Sequence, residues 1–282
     1  MSDVSPIEII DGVIDDVRSF FVVLSTILLA RVFSGVANTD IWVYKVVSWV
    51  VIIVTGVDII LFIMDFLSGF FENLWGSIGT LVINAIILIG SALLTMRLLK
   101  QTSIKMELLY QIMLGATIFN VMSLIWSTIT NVFNFGDLVE CIRLLLMVVV
   151  ILAYSHSIFS IKGNTLISEI LDLVYEIAPW LAGGVLLVDL VLCIVDFFMG
   201  VYKGIDAGDI FSWVVNVVIY LSLIAGCIFA ESLLSGLFGI SRSLTFVDKL
   251  GVAFTVYCVV DLLLAVPINL FSNIYEIVEE NY

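Results

Sequence analysis

Ionised side chains, and basic ones above all, are scarce in this chain of 282 residues. Only 13% of the residues are charged, with 11 Lys or Arg against 25 Asp or Glu. A typical soluble domain carries about 25% charged residues, so this composition excludes an ordinary soluble fold. The few basic residues form no cluster, which excludes nucleic acid as a partner.

Residues that build metal centres, disulfides and active sites are also few. The chain has one histidine, His156, and its four cysteines stand singly inside apolar runs, with no CxxC pair. We therefore predict no metal site, no disulfide and no cofactor. HExxH, GxSxG and Walker-type glycine motifs are absent as well, so we expect a protein that is not an enzyme.

Apolar runs are what the sequence has in abundance. Hydrophobic residues make up 62% of the chain, and the mean hydropathy is +1.23. A membrane span needs about 20 apolar residues, and in lipid such runs form helices because open strands leave their backbone unsatisfied. The sequence predicts an all-α integral membrane protein with about eight transmembrane helices, near residues 17–35, 43–67, 75–99, 107–131, 137–160, 177–200, 209–234 and 250–274.

Two of these runs resemble each other closely. Residues 57–67 and 188–198 are 131 positions apart and share six of eleven residues, including both aspartates of each copy. The contexts of Asn84 and Asn216 also match. We interpret the chain as internally duplicated: an acidic segment at 1–16, a four-helix repeat at 17–135 and a second at 136–282, which ends in a short acidic C-terminus. An alternative interpretation is a helical hairpin copied four times.

The aspartates inside the apolar runs are the candidate functional residues. An ionised carboxylate in hydrocarbon costs several kcal/mol, so such residues usually face a bundle interior, a partner or a watery path. Counted along the helices, Asp58, Asp189 and Asp261 lie deep, together with Asn120, which cannot titrate. Asp65 and Asp196 lie near the outer boundary. The predicted ion- or proton-binding residues are Asp58, Asp65, Asp189, Asp196, Asp261 and Asn120.

Two functions fit this pattern. The first is a transporter or channel for a small cation or protons, in which the deep carboxylates bind the ion. The alternative is a non-catalytic scaffold or subunit of a membrane protein complex, a homo-oligomer included, whose polar residues lock helices together. For the deep carboxylates we predict as partners Arg143 and neutral groups such as Thr55 and Asn84.

Basic residues also predict the orientation in the lipid bilayer. Eight of the eleven flank one side: Arg31, Lys45, Arg97, Lys100, Lys105, Lys162, Arg242 and Lys249. The positive-inside rule places that side in the cytoplasm, so both termini are expected to be extracytoplasmic. The acidic start reverses the charge of a signal peptide, and we expect the first span to be retained. The acidic outer side is either a solvated rim or a collar that concentrates cations.

Three smaller features give further predictions. Five glycines in the even-numbered spans predict close helix packing or, as the alternative, a broken helix at a site: Gly56, Gly115, Gly183, Gly184 and Gly251. Pro179 is expected in the first turn of its helix, where a proline costs little. Glu231, near the inner end of the seventh span, predicts an interhelical salt bridge.

Overall fold

The computed structural model describes residues 6–33, 42–69, 74–101, 106–130, 135–159, 165–204 and 207–280, and this part of the chain is helical without strands. The described ranges contain nine helices: α1 Pro6–Phe33, α2 Trp42–Gly69, α3 Leu74–Gln101, α4 Leu108–Thr130, α5 Phe135–Phe159, α6 Thr165–Lys203, α7 Ala207–Ile228, α8 Ala230–Phe238 and α9 Phe246–Glu280.

Six of the described helices are long and apolar enough to cross a membrane. They are α2 to α7, each with a stretch of 19 to 34 residues whose mean hydropathy lies between 1.7 and 2.7. Large apolar side chains such as Trp180 and Leu187 stand exposed on these helices, as lipid-facing residues do. The chain is thus a helical, multi-pass membrane protein. Helices α1 and α9 are not among the six.

The course of two helices differs from the sequence prediction. Helix α6 begins at Thr165, so Pro179 lies inside it and the first-turn prediction is wrong. Hydropathy detects only the apolar part of a helix and misses polar turns that precede it. The seventh predicted span is also interrupted: α7 ends at Ile228, and after Phe229 the short helix α8 follows. Helix α8 ends at Gly239 in a left-handed conformation with φ of 65°.

The chain forms two compact units. The N-terminal unit holds α1 from Val17 onward, α2, α3, α4 and α5 as far as Leu145. The C-terminal unit holds α5 from Leu146, α6 from Glu169, α7, α8 and α9. The sequence boundary at residues 135 and 136 refers to ancestry rather than compactness, and it stays a prediction.

Helix α4 is the centre of the N-terminal unit. It packs against both α2 and α3, and hydroxyl groups join it to α1 and α2. Ser25 of α1 shares a hydrogen bond of 2.8 Å with Thr117, and Ser48 of α2 donates to the Met113 sulfur at 3.0 Å. All four side chains are buried. Small hydroxyls of this kind let membrane helices approach and bond to one another.

Helix α9 is the centre of the C-terminal unit. A Cβ added at Gly226 of α7 would lie 2.9 Å from the Ala253 Cα, so α7 and α9 touch almost backbone to backbone. Gly251 lies directly against the ring of Tyr154 of α5. A glycine permits both approaches because no side chain intervenes.

The close packing predicted for the five glycines is therefore confirmed for Gly251. Gly115 is in ordinary van der Waals range of Thr95. Within the described part of the chain, a Cβ at Gly56, Gly183 or Gly184 would meet nothing within 4 Å, so close packing is not found at these three glycines.

Candidate ion site in the C-terminal unit

Asp189 lies on α6 and is bonded to α9. The Tyr257 hydroxyl donates a hydrogen bond of 2.8 Å to Asp189 Oδ2. The Tyr257 side chain is almost completely buried. Asp189 was predicted from the sequence and Tyr257 was not, because a tyrosine within an apolar run is indistinguishable from a packing residue.

Asp261 is part of the same site. Asp189 and Asp261 both lie close enough to the hydroxyls of Tyr257 and Tyr220 to interact with them electrostatically. The rings of Tyr220 and Tyr257 are 5.8 Å apart. We call Asp189, Asp261, Tyr220 and Tyr257 the acid–phenol cluster. It joins α6, α7 and α9, and it brings together two of the three deep carboxylates named from the sequence.

The Tyr220 hydroxyl adds a group with unused hydrogen-bonding capacity to the cluster. It is buried and makes no well-aligned hydrogen bond within the described part of the chain, although the Tyr257 hydroxyl lies near it. A buried hydroxyl without a partner costs about 1–3 kcal/mol. The cluster thus presents two carboxylates and a hydroxyl, which are groups that accept protons and small cations.

The third deep carboxylate, Asp58, belongs to the N-terminal unit. Arg18 Nη1 of α1 lies 3.3 Å from Asp58 Oδ2 of α2. The Asp58 side chain is 14% exposed and that of Arg18 is 30% exposed. This contact holds a positive charge beside the carboxylate. Arg143 was the basic partner predicted for a deep carboxylate; at Asp58 the structure places Arg18, which sequence counting had assigned to the outer side.

Asn120 of α4 lies in the same unit and bonds to α2. Its Nδ2 donates to Thr55 Oγ1 and to the Ala116 carbonyl, each at 2.8 Å. Asn120 is buried, and within the described residues its Oδ1 has no hydrogen-bond partner. Thr55 was among the neutral partners predicted at this depth. The amide therefore ties α2 and α4 together.

The two predicted outer carboxylates lie on α2 and α6. Asp65 lies on α2, but its side chain is outside the described residues. Asp196 lies on α6, seven residues after Asp189, and is exposed. The exposed Asp196 side chain is therefore not part of the acid–phenol cluster.

A further carboxylate, Asp248, went unnoticed in the sequence although it is the most heavily bonded. Ser157 and the Tyr175 hydroxyl each donate to its Oδ1 at 3.1 Å. Thr245 Oγ1 donates to Oδ2 at 2.9 Å, and the Asp248 backbone N–H bonds back to Thr245 Oγ1 at 3.1 Å. Arg242 Nη2 lies 3.5 Å from Asp248 Oδ2.

Thr245 and Asp248 form a capping box at the start of α9. A Thr followed three residues later by an acidic residue, just before an apolar run, is a sequence signal for this structure. The sequence contains this signal, but no capping box was predicted from it. Since Asp248 is buried and receives donors from α5 and α6, it joins these two helices to the beginning of α9.

His156 contacts a carboxylate of α6. Its Nε2 lies 3.1 Å from Asp172 Oδ1, and its Nδ1 is buried without a hydrogen-bond partner in the described regions. Over those same regions, no three His, Cys, Asp or Glu residues are grouped as a metal site would require. His156 ties the end of α5 to α6.

The interhelical salt bridge predicted for Glu231 is confirmed. Lys249 Nζ of α9 lies 3.1 Å from Glu231 Oε1 of α8, and the Leu244 N–H donates to the same oxygen at 3.3 Å. The hydrogen bond and charge of Lys249, together with the Leu244 N–H, lower the pKa of Glu231 below its ordinary value.

Comparisons with known proteins give no relative. No protein-family model, no curated protein and no solved structure matches this chain.

Proposed function

We propose that this protein is an eight-span, internally duplicated membrane transporter or channel that carries protons or a small cation through the acid–phenol cluster. The observation that supports it is the 2.8 Å hydrogen bond from Tyr257 to Asp189, with the Tyr220 ring 5.8 Å from that of Tyr257 and Asp261 within electrostatic range of both phenols. A half-buried carboxylate among apolar helices is stabilised by a bound proton or cation.

The groups around the carboxylates suit transfer. Tyr257 holds Asp189 in a defined position through the 2.8 Å bond, and the Tyr220 hydroxyl beside it is a donor and acceptor with free capacity. A proton or cation that arrives at one carboxylate thus has a second carboxylate and two hydroxyls within the same site. No bond is made or broken in a substrate, so the proposal involves no catalysis and no cofactor.

The proposal includes α1 and α9 as the first and last spans. In each unit the fourth helix of the predicted repeat is the central one, α4 in one case and α9 in the other, which supports descent from one four-helix ancestor. Arg31 and Lys100 lie in the last turns of α1 and α3. The positive-inside rule then puts these helix ends in the cytoplasm and both termini outside.

Flux in liposomes tests the function. The purified protein is reconstituted, and proton and monovalent cation uptake are followed with ion-sensitive dyes. The Asp189→Asn/Asp261→Asn variant is expected to lose flux to the level of empty liposomes, because an amide neither titrates nor balances a cation. Asp172→Asn, which removes an exposed carboxylate of the same helix, is the matched control and is expected to keep its flux.

Two results would refute this function. One is a wild-type protein with no uptake above empty liposomes for protons or any monovalent cation tested. The other is a double variant that folds and transports at the wild-type rate. Size-exclusion profiles and melting curves of each variant separate loss of flux from loss of folding.

A second candidate is a scaffold or subunit of a membrane assembly, a homo-oligomer included. Interhelical polar contacts in the N-terminal unit favour it: Asn120 with Thr55, Ser25 with Thr117 and Arg18 with Asp58. Each joins two helices and none requires a transported ion. Purification in mild detergent tests it, since a subunit co-purifies with a partner at fixed stoichiometry and a lone transporter does not.

A further inference from the structure

Helix α6 is attached to α9 at two levels. Tyr175 donates to Asp248 near the start of α9, and Asp189 accepts from Tyr257 farther along. Because the contacts come in the same order on both helices, α6 and α9 run in the same direction. From Tyr175 to Asp189, α6 advances by 14 residues, about 21 Å. From Asp248 to Tyr257, α9 advances by nine residues, about 14 Å. Helix α6 therefore has the longer path between its two attachments.

That path contains the residues that weaken a helix. Pro179 lies inside α6; it lacks the N–H that would bond to the Tyr175 carbonyl, and its ring crowds that carbonyl. Gly183 and Gly184 follow, and a glycine weakens a helix interior relative to alanine. Such residues are where membrane helices bend or break near a transport site.

Residues 178–187 of α6 are packed on one face and open on the other. On one face, small side chains pack inward: Ala178, Ala182 and Val185 are buried. On the other face, Trp180 and Leu187 are exposed, and the space beside Gly183 and Gly184 is open. By contrast, α9 is fixed by the Tyr154 ring against Gly251 and by the contact of Ala253 with α7. In the described part of the chain, α6 is thus less closely packed at Gly183 and Gly184 than α9 is at Gly251.

We propose that residues 179–184 of α6 form a hinge that swings Asp189 away from and back to Tyr257, and so opens and closes the acid–phenol cluster. This inference rests on the proposed function, for which it supplies the moving part. The Tyr175–Asp248 contact is the fixed pivot end, and the Asp189–Tyr257 hydrogen bond is the latch. Loss of negative charge at Asp189, by a proton or a cation, weakens the latch and permits the swing.

The first measurement is flux of the Gly183→Ala/Gly184→Ala variant. The added methyl groups meet no atom within 4 Å, so they stiffen the helix without a clash. Two such changes favour the straight helix enough to lower flux roughly 10- to 30-fold. Gly56→Ala on α2, where the space is equally open, is the matched control and is expected to transport normally.

The second measurement reads the hinge without any flux. Amide hydrogen exchange in detergent is compared for peptides that cover residues 176–188 of α6. Tyr257→Phe removes the latch and is expected to speed exchange there severalfold, while peptides of α7 stay unchanged. Adding Gly183→Ala/Gly184→Ala to Tyr257→Phe is expected to return the rate toward that of the wild type.

The outcomes separate the hinge from the function. If the wild type transports but the glycine variant has normal flux and the exchange of residues 176–188 responds to neither change, the hinge is wrong and the function stands. If the wild type transports nothing while exchange responds as expected, the function is wrong and α6 still bends.

Discussion

The two units of this protein treat carboxylates inside the membrane in opposite ways. In the N-terminal unit, Asp58 has a guanidinium beside it, and the uncharged Asn120 bonds to Thr55. In the C-terminal unit, Asp189 is bonded to the uncharged Tyr257 and shares its surroundings with a second carboxylate. If the units descend from one ancestor, one copy became a charge-balanced support and the other kept the chemistry.

The largest expected effect separates the two kinds of carboxylate. Arg18→Gln leaves Asp58 without the adjacent positive charge and is expected to lower the free energy of unfolding by about 2 kcal/mol, less than for a fully buried pair because Arg18 is partly exposed. Asp189→Asn is expected to cost about 1 kcal/mol or less, because an amide still accepts from Tyr257. Equilibrium unfolding in detergent measures both.

The double variant Asp58→Asn/Arg18→Gln is the control for this pair. It removes both charges together and is expected to recover most of the loss. Equal costs for Arg18→Gln and Asp189→Asn would show that the units do not differ in this respect.

Packing gives the next prediction, again with one change in each unit. Gly251→Ala pushes a methyl group into the ring of Tyr154, and overpacking of this kind costs about 1–3 kcal/mol. Gly56→Ala adds the same methyl group in open space and is expected to be neutral or to stabilise by up to about 1 kcal/mol. Melting temperatures in one detergent compare the two; a stable Gly251→Ala variant would contradict the close contact.

A smaller effect is expected at the Asn120 amide. Thr55→Val removes the hydroxyl that receives the Asn120 bond and is expected to cost about 0.6 kcal/mol, the average for such bonds between membrane helices. Thr128→Val on α4 is the control, since Thr128 bonds to the Leu124 carbonyl of its own helix. If both changes cost the same, the bond between α2 and α4 contributes no stability of its own.

The smallest effect concerns pH at the α8–α9 contact. Because Lys249 lowers the pKa of Glu231 in the folded protein, the salt bridge stabilises the fold above the ordinary pKa of about 4.5 and this contribution is lost as pH falls through the lower folded pKa. The melting temperatures of wild type and Glu231→Gln are therefore expected to differ at pH 7 and to converge near pH 3. Lys249→Met should show the same convergence, and a difference that persists at pH 3 would contradict the assignment.

Sequence reasoning identified the carboxylates and the helical membrane fold, because charge within an apolar run is a strong signal. It did not find Tyr257 or Tyr220, since their hydroxyls matter only through contacts that the fold creates. It missed the break at Phe229, because neither Phe229 nor its immediate neighbours are glycine or proline. It also placed Pro179 at a helix start, because hydropathy records where lipid begins and not where the helix begins.

Helix α6 has a consequence for topology that follows from its length alone. Its 39 residues extend about 58 Å, while a bilayer with its headgroups is about 40–45 Å thick. Unless strongly tilted, the helix emerges from the headgroups, and Asp172 in its early turns is 71% exposed. A thiol placed there would be open to a membrane-impermeant reagent from one face of a sealed vesicle, so that a single labelling reaction would establish which way the protein is inserted.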